Sequence, residues 1–268
     1  IVGSVKMCIR DRVKGVEEAK IDYMLHQGTK EFDSLEGLNF NIKTKTKDVE
    51  CHTNLIMPFN ALNITLAYAI LDSLGEMEDS KFNQLLEEIK IPGRDEVIRY
   101  NGRTIIITIT CTPHLEIIKR YKEKGKVKNI RLVTGSFGKG FNSWLEEYKE
   151  EKFTKYVEES MRWAYSYFVK NVDQIYITTN DNAYSNITEL LGKQKKEVEG
   201  KTTYFLIEDR KEAIKKAIED SERNDVIIIS GRGNRSIFCK DRRNVEIYLD
   251  RSIVEEEIIK KKEEDNAN

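Results

Sequence analysis

The chain predicts an α/β fold built on a mostly parallel sheet, and three observations carry that expectation. Short apolar strands alternate with helical stretches from Asn129 to Lys262, the order that lays helices on the faces of a parallel sheet. The run Thr104-Ile105-Ile106-Ile107-Thr108-Ile109-Thr110 is β-branched throughout, as suits a strand buried on both faces. Ahead of it, Val97 to Tyr100, Asn101-Gly102 and Arg103 to Cys111 read as a hairpin. Its Asn-Gly pair accepts the positive φ angles of a type I′ turn.

Taken in order, Gly37 to Thr46 alternates like an exposed strand, and Asn60 to Gly75 reads as a helix. That helix repeats Leu62, Leu66, Ala69, Ile70 and Leu74 at helical spacing and stops at Gly75. A short helix follows from about Ser80 to Ile89, and Ile91-Pro92-Gly93-Arg94 is the clearest punctuation, taken as a domain boundary. Beyond the hairpin, strands are expected at Asn129 to Thr134, Gln174 to Thr179, Thr203 to Ile207, Val226 to Ser230 and Asn244 to Leu249. Helices are expected at Phe153 to Lys170, Ile187 to Lys195, Asp209 to Ser221 and Arg251 to Lys262, with a polar tail over 263–268. In such sheets ligands sit at the carboxyl ends of the strands. The loops after Cys111, Thr134, Thr179 and Ser230 are therefore the places for a site.

Composition narrows the classes. With 45 Lys+Arg against 46 Asp+Glu spread along 268 residues, the chain lacks the clustered positive charge of an electrostatic nucleic-acid binder. No apolar run approaches the length of a bilayer span. The cysteines Cys8, Cys51, Cys111 and Cys239 share no metal-ligand spacing and read as reduced cytosolic thiols. The hexamer Met7-Cys8-Ile9-Arg10-Asp11-Arg12 matches one reading frame of a transposon adapter used in shotgun sequencing. Residues 1–12 are therefore set aside as a scar, and the remainder is expected to be a fragment.

No Ser/His/Asp set, HExxH or GxxxxGK[ST] loop occurs. The Gly-rich stretch Gly135-Ser136-Phe137-Gly138-Lys139-Gly140 follows a predicted strand, but a plain strand-to-helix turn accounts for it better than a phosphate cradle. Asp209 with Glu212 forms a capping box at the start of a helix, and Arg210 either reaches a ligand or is solvated. Gly231-Arg232-Gly233 after a buried strand permits close approach of a ligand or a sharp turn. Asp181-Asn182 either holds an amine or forms an Asx turn. Arg94 pairs with a phosphate or with a surface carboxylate.

In sequence these pieces resemble the Mur ligase family, and within it the MurE type. An FNxxN helix start is matched by Phe59-Asn60-Ala61-Leu62-Asn63, a PGR junction by Pro92-Gly93-Arg94, and a Thr-Pro strand end by Thr112-Pro113. A TSDN segment is matched by Thr179-Asn180-Asp181-Asn182, and a DRxEAI helix start by Asp209, Arg210, Glu212, Ala213 and Ile214. A GKGxE loop is matched by Gly231-Arg232-Gly233, and a late DR pair by Asp250-Arg251. The resemblance implies a Rossmann-like C-terminal domain over 91–262, preceded over 13–90 by the tail end of a central ATPase domain. It implies a cytoplasmic ligase that joins an amino acid to a UDP-N-acetylmuramoyl-peptide carboxylate, using ATP and Mg²⁺. By the same resemblance Asn63, Arg94 and Thr108 fall on ATP-binding positions. Asp181, Asn182, Gly231, Gly233 and Arg235 fall on positions facing the incoming amino acid.

The departures are as specific as the matches. Thr108 stands where the family pattern has the nucleotide-holding Asp, and Cys111 where it has His. The family's DNPR reads Asp181-Asn182-Ala183-Tyr184, and Asn234 and Arg235 stand for the His and Glu of the GKGHE loop. Exchanging Glu for Arg sets like charges against an amino group, which makes diaminopimelate a poor acceptor. The P-loop, the Mg²⁺ carboxylates and the UDP-sugar domain are absent from the sequence. The chain alone is therefore not expected to turn over ATP, and a degenerate, non-catalytic binding or partner protein is the alternative.

Overall fold

The computed structural model describes residues 24–27, 35–137, 150–181, 185–240 and 244–267. Residues 1–12, Gly138 to Gly140 and 182–184, with Asn182 and Tyr184 among them, lie outside the described residues. The described chain divides into two compact units. One holds 24–27, 38–54 and 58–88, and the other holds 35–37, 55–57 and everything from Ile89 onward.

In the first unit β1 (Met24–Gln27), β2 (Leu38–Lys43) and β3 (Asp48–Thr53) form an antiparallel sheet in that order. Strict alternation sets its inner face, because Leu38, Phe40 and Ile42 pair with Thr53, Cys51 and Val49, and all six side chains are buried. Helix α1 (Pro58–Ser73) and helix α2 (Asp79–Glu88) complete the unit. Thr53 donates from Oγ1 to the Leu86 carbonyl at 2.9 Å, and the Tyr68 hydroxyl donates to Asp79 Oδ1 at 2.9 Å. The expected apolar stripe of α1 is corrected here. Its buried face is Asn60, Ala61, Ile64 and Tyr68, whereas Leu66, Ile70 and Leu74 are 62, 51 and 67 % exposed. Periodicity had marked an apolar face, but two faces of this helix carry apolar residues, and spacing cannot choose between them.

The second unit is the α/β domain. Its elements are β4 (Glu96–Tyr100), β5 (Arg103–Thr108), α3 (Thr112–Glu123), β6 (Ile130–Phe137), α4 (Glu150–Asn171), β7 (Gln174–Asp181) and α5 (Ile187–Val198). They continue through β8 (Thr203–Leu206), α6 (Arg210–Glu219), β9 (Val226–Ser230), the hairpin strands β10 (Ile237–Cys239) and β11 (Val245–Ile247), and α7 (Asp250–Ala267). The six-stranded sheet runs β4-β5-β9-β6-β7-β8, parallel except for β4. The β4–β5 hairpin turns through Asn101 at φ 43° and Gly102 at φ 74°, the two positive angles a type I′ turn needs. Ile105, Ile106 and Ile107 are fully buried, one side of β5 meeting each layer of helices.

Leu115 and Ile118 of α3, Tyr165 and Phe168 of α4 and Leu191 of α5 share one core with Ile106, Leu132 and Ile228. Ala213, Ile214 and Ile218 of α6 and Ile253 and Val254 of α7 share the other with Ile105, Val133 and Ile229. Strands β5, β6 and β7 therefore lead into helices on one face, while β9 is entered from and left toward the other. The connections diverge on either side of the carboxyl end of β9, the kind of switch point at which α/β sheets bind ligands.

Three further differences from expectation have simple causes. Helix α3 goes unannounced in the sequence reading, although Pro113 in its first turn and Arg120 and Lys122 in its last are ordinary helix signals. Gly135 belongs to strand β6 rather than to a loop. A Cβ there would lie 2.3 Å from the Thr178 carbonyl oxygen, so the glycine serves close strand contact with β7. The supposed tail continues as helix to Ala267, in keeping with the helix-favouring Lys and Glu residues that lead into it.

Candidate functional site

The carboxyl edge of the second unit gathers most of the expected site residues. Thr108 and Ser230 end paired strands β5 and β9, and the Gly231 N–H donates to the Thr108 carbonyl at 3.0 Å. Gly231 turns at φ +114°, and a Cβ on it would lie 2.1 Å from Asn180 Nδ2. Gly233, at φ +56°, lies against Gly93 and Ile109: its Cβ would meet the Gly93 oxygen at 2.5 Å and Ile109 Cγ1 at 2.7 Å. Gly93 returns the contact, its own Cβ falling 2.2 Å from the Asn234 nitrogen. The close approach that these glycines allow is thus made by the protein's own loops. It locks the loop after β9 against both the Pro92-Gly93-Arg94 turn and the end of β7.

Behind these loops lies a buried polar junction. Arg210 is fully enclosed and spans Asp250 with Nε and Nη2 at 3.0 and 2.8 Å, the bidentate geometry of a strong carboxylate pair. Its remaining donors reach Asn180 Oδ1 at 2.8 Å and the Ser230 carbonyl at 3.1 Å. Asn180 in turn donates to the Gly135 carbonyl at 2.7 Å. Arg210 is therefore neither solvated nor free for a ligand, which corrects both readings of it, because the helix start points into the sheet edge. Arg232 is buried as well, 3.4 Å from Asp250 and stacked over the Tyr248 and Phe238 rings at 4.4 and 5.1 Å. Burial pulls its pKa below the ordinary arginine value.

Thr108 is 1 % exposed, and its hydroxyl lies 3.0 Å from Asp95 Oδ1 and 3.1 Å from the Thr110 carbonyl. His114 Nε2 stands 2.8 Å from the same Asp95 oxygen, close enough for an ion pair but off the line of a directed hydrogen bond. Asp95 holds φ at 62°, unusual for a residue with a side chain. Neither Asp95 nor His114 stands out in the sequence as a site residue. Their signal is position alone, one directly after Pro-Gly-Arg and the other directly after Thr-Pro. Cys111 is buried at the start of α3, its thiol pushed up to about 11 by burial against a smaller opposing hydrogen bond with Ser230.

Arg94 is exposed on the turn that donates its N–H to the Ile91 carbonyl at 3.1 Å. Asn63 is exposed on α1 of the first unit. Asp181 ends β7 nine-tenths buried, and its carboxylate acts on the exposed Arg235 guanidinium. Burial lowers the Arg235 pKa, and the Asp181 charge opposes that fall. Beside this edge a cleft of about 400 Å³ opens between the start of α6, at Glu208 to Arg210, and Phe238, Lys240 and Tyr248 of the hairpin region. Asp181, Gly231, Gly233 and Arg235 are not part of its lining.

No family model matches the chain. Sequence relatives include the UDP-N-acetylmuramoyl-L-alanyl-D-glutamate--2,6-diaminopimelate ligases of Halalkalibacterium halodurans and Aquifex aeolicus. The first is 26 % identical over 230 residues, covering 84 % of this chain and 43 % of that protein. The second is 29 % identical over 202 residues, covering 74 % and 38 %. The chain thus spans less than half the length of these curated relatives. A solved diaminopimelate ligase of the same name superposes with a TM-score of 0.55 at 20 % identity, covering 90 % of this chain and 46 % of that one. The MurF ligase of Thermotoga maritima, solved in complex with ADP, gives 0.54 at 14 % identity, covering 90 % and 47 %. These two likenesses speak for the fold. No helix among the described residues is long and apolar enough to cross a membrane. The sequence relationships, over 84 % and 74 % of the chain, add to that likeness of shape: the chain is similar to the Mur ligase family, with MurE-type enzymes among its sequence relatives.

Proposed function

We propose that this chain supplies the amino-acid-binding side of a MurE-like, ADP-forming ligase acting in peptidoglycan precursor synthesis in the cytoplasm. The observation that carries the reading is its sequence relationship to diaminopimelate ligases over most of its length. In that reaction ATP activates a UDP-N-acetylmuramoyl-peptide carboxylate, and the amine of an amino acid attacks it. Asp181 and Arg235 bind and orient the amino acid, while Gly231 and Gly233 shape the loop that presents Arg235. By the resemblance Arg94, exposed at the same edge, takes the nucleotide phosphates, and Asn63, exposed on α1 of the first unit, is an ATP-binding position of that unit. Thr108 acts through the strand end it fixes, since its hydroxyl is already bonded to Asp95.

Mg²⁺ does not fit these residues. Among the described residues no three His, Cys, Asp or Glu side chains cluster as a metal site requires, so they do not supply one. The 268 residues also contain no GxxxxGK[ST] loop. By themselves they are expected to release no phosphate from ATP.

The test is a long genomic read upstream of Val13, followed by phosphate release assays on the whole encoded protein with UDP-N-acetylmuramoyl-dipeptide and the common amino acids. Amino-acid-dependent phosphate release supports the ligase. Silence with every amino acid, in a protein that carries a P-loop, overturns it. A second reading, a non-catalytic relative that binds or partners a cell-wall enzyme, is favoured by the burial of Thr108 and Cys111 where the resemblance expects Asp and His. Tight ATP binding with Mg²⁺-dependent turnover would remove that reading.

A further inference from the structure

The amino edge of the six-stranded sheet lies opposite the edge that gathers the candidate site, and three turns meet there. The loop between α3 and β6 runs beside the loop between α6 and β9, the Lys128 N–H donating to the Asn224 carbonyl at 2.8 Å. The Asn224 N–H in turn donates to the Gly102 carbonyl of the β4–β5 turn at 2.9 Å. Arg103, next to Gly102, donates from Nη2 to the Ser221 carbonyl at 2.8 Å. Gly102 also lies against Arg223, whose Cγ would stand 2.6 Å from a Cβ there. Hydrogen bonds thus join the three turns into one continuous band.

Basic side chains dominate this band. From Lys119 to Lys128 the chain carries six basic residues against the single acid Glu123, and Arg103 and Arg223 add two from the neighbouring turns. Asp173 and Glu222 pair with Lys122 and Lys128. Eight basic groups against those three acids leave an excess of five, on a chain whose net charge is -1. Just behind, Asp225 pairs with Arg131 and Asp220 with Lys216, which adds no net charge. The even spread of charge expected from the sequence does not hold at this edge, because folding brings the three turns together. Arg120 and Lys122 offset the dipole of α3 from its last turn. That role does not extend to Lys126 and Lys128, which are exposed beyond the end of the helix.

We propose that this edge docks the protein on an anionic lipid surface. Three features of the band choose that partner. A protein interface is anchored by an apolar or aromatic centre, whereas the large apolar residues of these turns, Tyr100, Tyr121 and Val127, are buried. Single-stranded nucleic acid is held by bases stacked on exposed aromatic rings, and both tyrosines are turned inward. Lysine supplies five of the eight basic groups, each a mobile point charge without the fixed fork that reads one phosphate. A bilayer needs no more than this, since its headgroups gather around such charges and each adds about fivefold to binding. The candidate site lies at the opposite edge of the sheet, so docking leaves it open, and the proposal does not depend on the ligase reading.

Co-sedimentation of the chain with vesicles tests this, comparing pure phosphatidylcholine with equal parts phosphatidylcholine and phosphatidylglycerol. Binding is expected to the mixed vesicles alone. It should fall away as salt shortens the Debye length from about 10 Å at 0.1 M to about 3 Å at 1 M. Lys124→Gln, Lys126→Gln and Lys128→Gln together should lower the partition coefficient on the order of a hundredfold, and Arg223→Gln alone, on a different turn, about fivefold. Lys43→Gln, Lys81→Gln and Lys90→Gln together remove the same charge off the band and should change it less than about twofold. All seven positions are exposed, so thermal midpoints should stay near that of the parent. Equal binding to both kinds of vesicle, or an equal loss from the two triple variants, overturns the proposal. Tighter binding to duplex DNA or single-stranded RNA than to the mixed vesicles, in the same salt, also overturns it and makes the partner a nucleic acid.

Discussion

Asp250 offers the sharpest stability test, because one buried carboxylate holds two buried guanidiniums. It is fully enclosed, with Arg210 bidentate at 3.0 and 2.8 Å and Arg232 at 3.4 Å. Asp250→Asn keeps the volume and removes the charge, so both arginines are left buried without a counter-ion. Breaking a buried pair from one side costs about 3–5 kcal/mol, a large share of the roughly 5–15 kcal/mol that stabilises a whole domain. At a slope of about 2 kcal/mol per molar urea, the midpoint should fall by roughly 2 M. Urea unfolding followed by tryptophan fluorescence reads this out, since Trp163 sits on α4 of the same unit. The double variant Arg210→Met with Asp250→Leu should recover at least half the loss, because exchanging both partners for apolar groups leaves no orphaned charge at the pair. A fall of less than about 0.5 M for Asp250→Asn would refute the claim that this pair bears the junction. So would a double variant no better than the single one.

Three further outcomes follow from the same geometry. Gly231→Ala should cost at least about 2 kcal/mol in the same unfolding assay. It adds left-handed strain to a Cβ 2.1 Å from an Asn180 side chain that Arg210 and Gly135 already hold. In the first unit Ile64→Ala should cost about 2–4 kcal/mol, while Leu66→Ala, at 62 % exposure, should change the unfolding free energy by less than about 0.5 kcal/mol. Equal costs would show the burial of α1 to be wrongly assigned. The Cys111 thiol, raised to about 11 in the folded chain, should resist iodoacetamide at pH 8 in peptide mass spectra, where the more exposed Cys239 is labelled. Because its folded value lies above the ordinary thiol value of 9.0, its contribution is fully present below about pH 9 and is lost as pH rises through about 11. The expected slope across that window is about 1.4 kcal/mol per pH unit.

The parallel sheet was legible because β-branched runs and helix alternation are local facts. Three consecutive isoleucines in β5 can only be a strand with helices on both sides, and that is where they lie. The pairing of β9 between β5 and β6 was not legible, since no local pattern says which strands a late strand joins. The outward face of α1 was misjudged for a related reason. Leu66, Ile70 and Leu74 satisfy helical spacing as well as Ala61, Ile64 and Tyr68 do. At the carboxyl edge of the sheet, sequence named loops that lie together but not the contacts they make. Asp95 meets Thr108, and His114 meets Asp95, only because β4 runs antiparallel beside β5 and α3 begins just beyond it, contacts that no spacing encodes.

The motifs that carried the family resemblance divide into two kinds once their contacts are known. Arg210 of the DRxEAI start and Asp250 of the late DR pair are a single ion pair 40 residues apart, and Asn180 and Gly231 close the same junction. Gly93 and Gly233 are likewise one contact seen from two places in the sequence. In this chain these matches therefore form one scaffold, which by itself specifies no chemistry. The divergent positions among the described residues, Thr108, Cys111, Asn234 and Arg235, are separate from that scaffold's ion pairs, and Thr108 and Cys111 are buried. Among the described divergent positions, Asn234 and Arg235 are the exposed ones. Evidence for or against catalysis has to come from those two side chains and Arg94, and the retained motifs cannot supply it. A direct binding or turnover measurement, and not a closer motif match, therefore decides what this edge of the sheet binds.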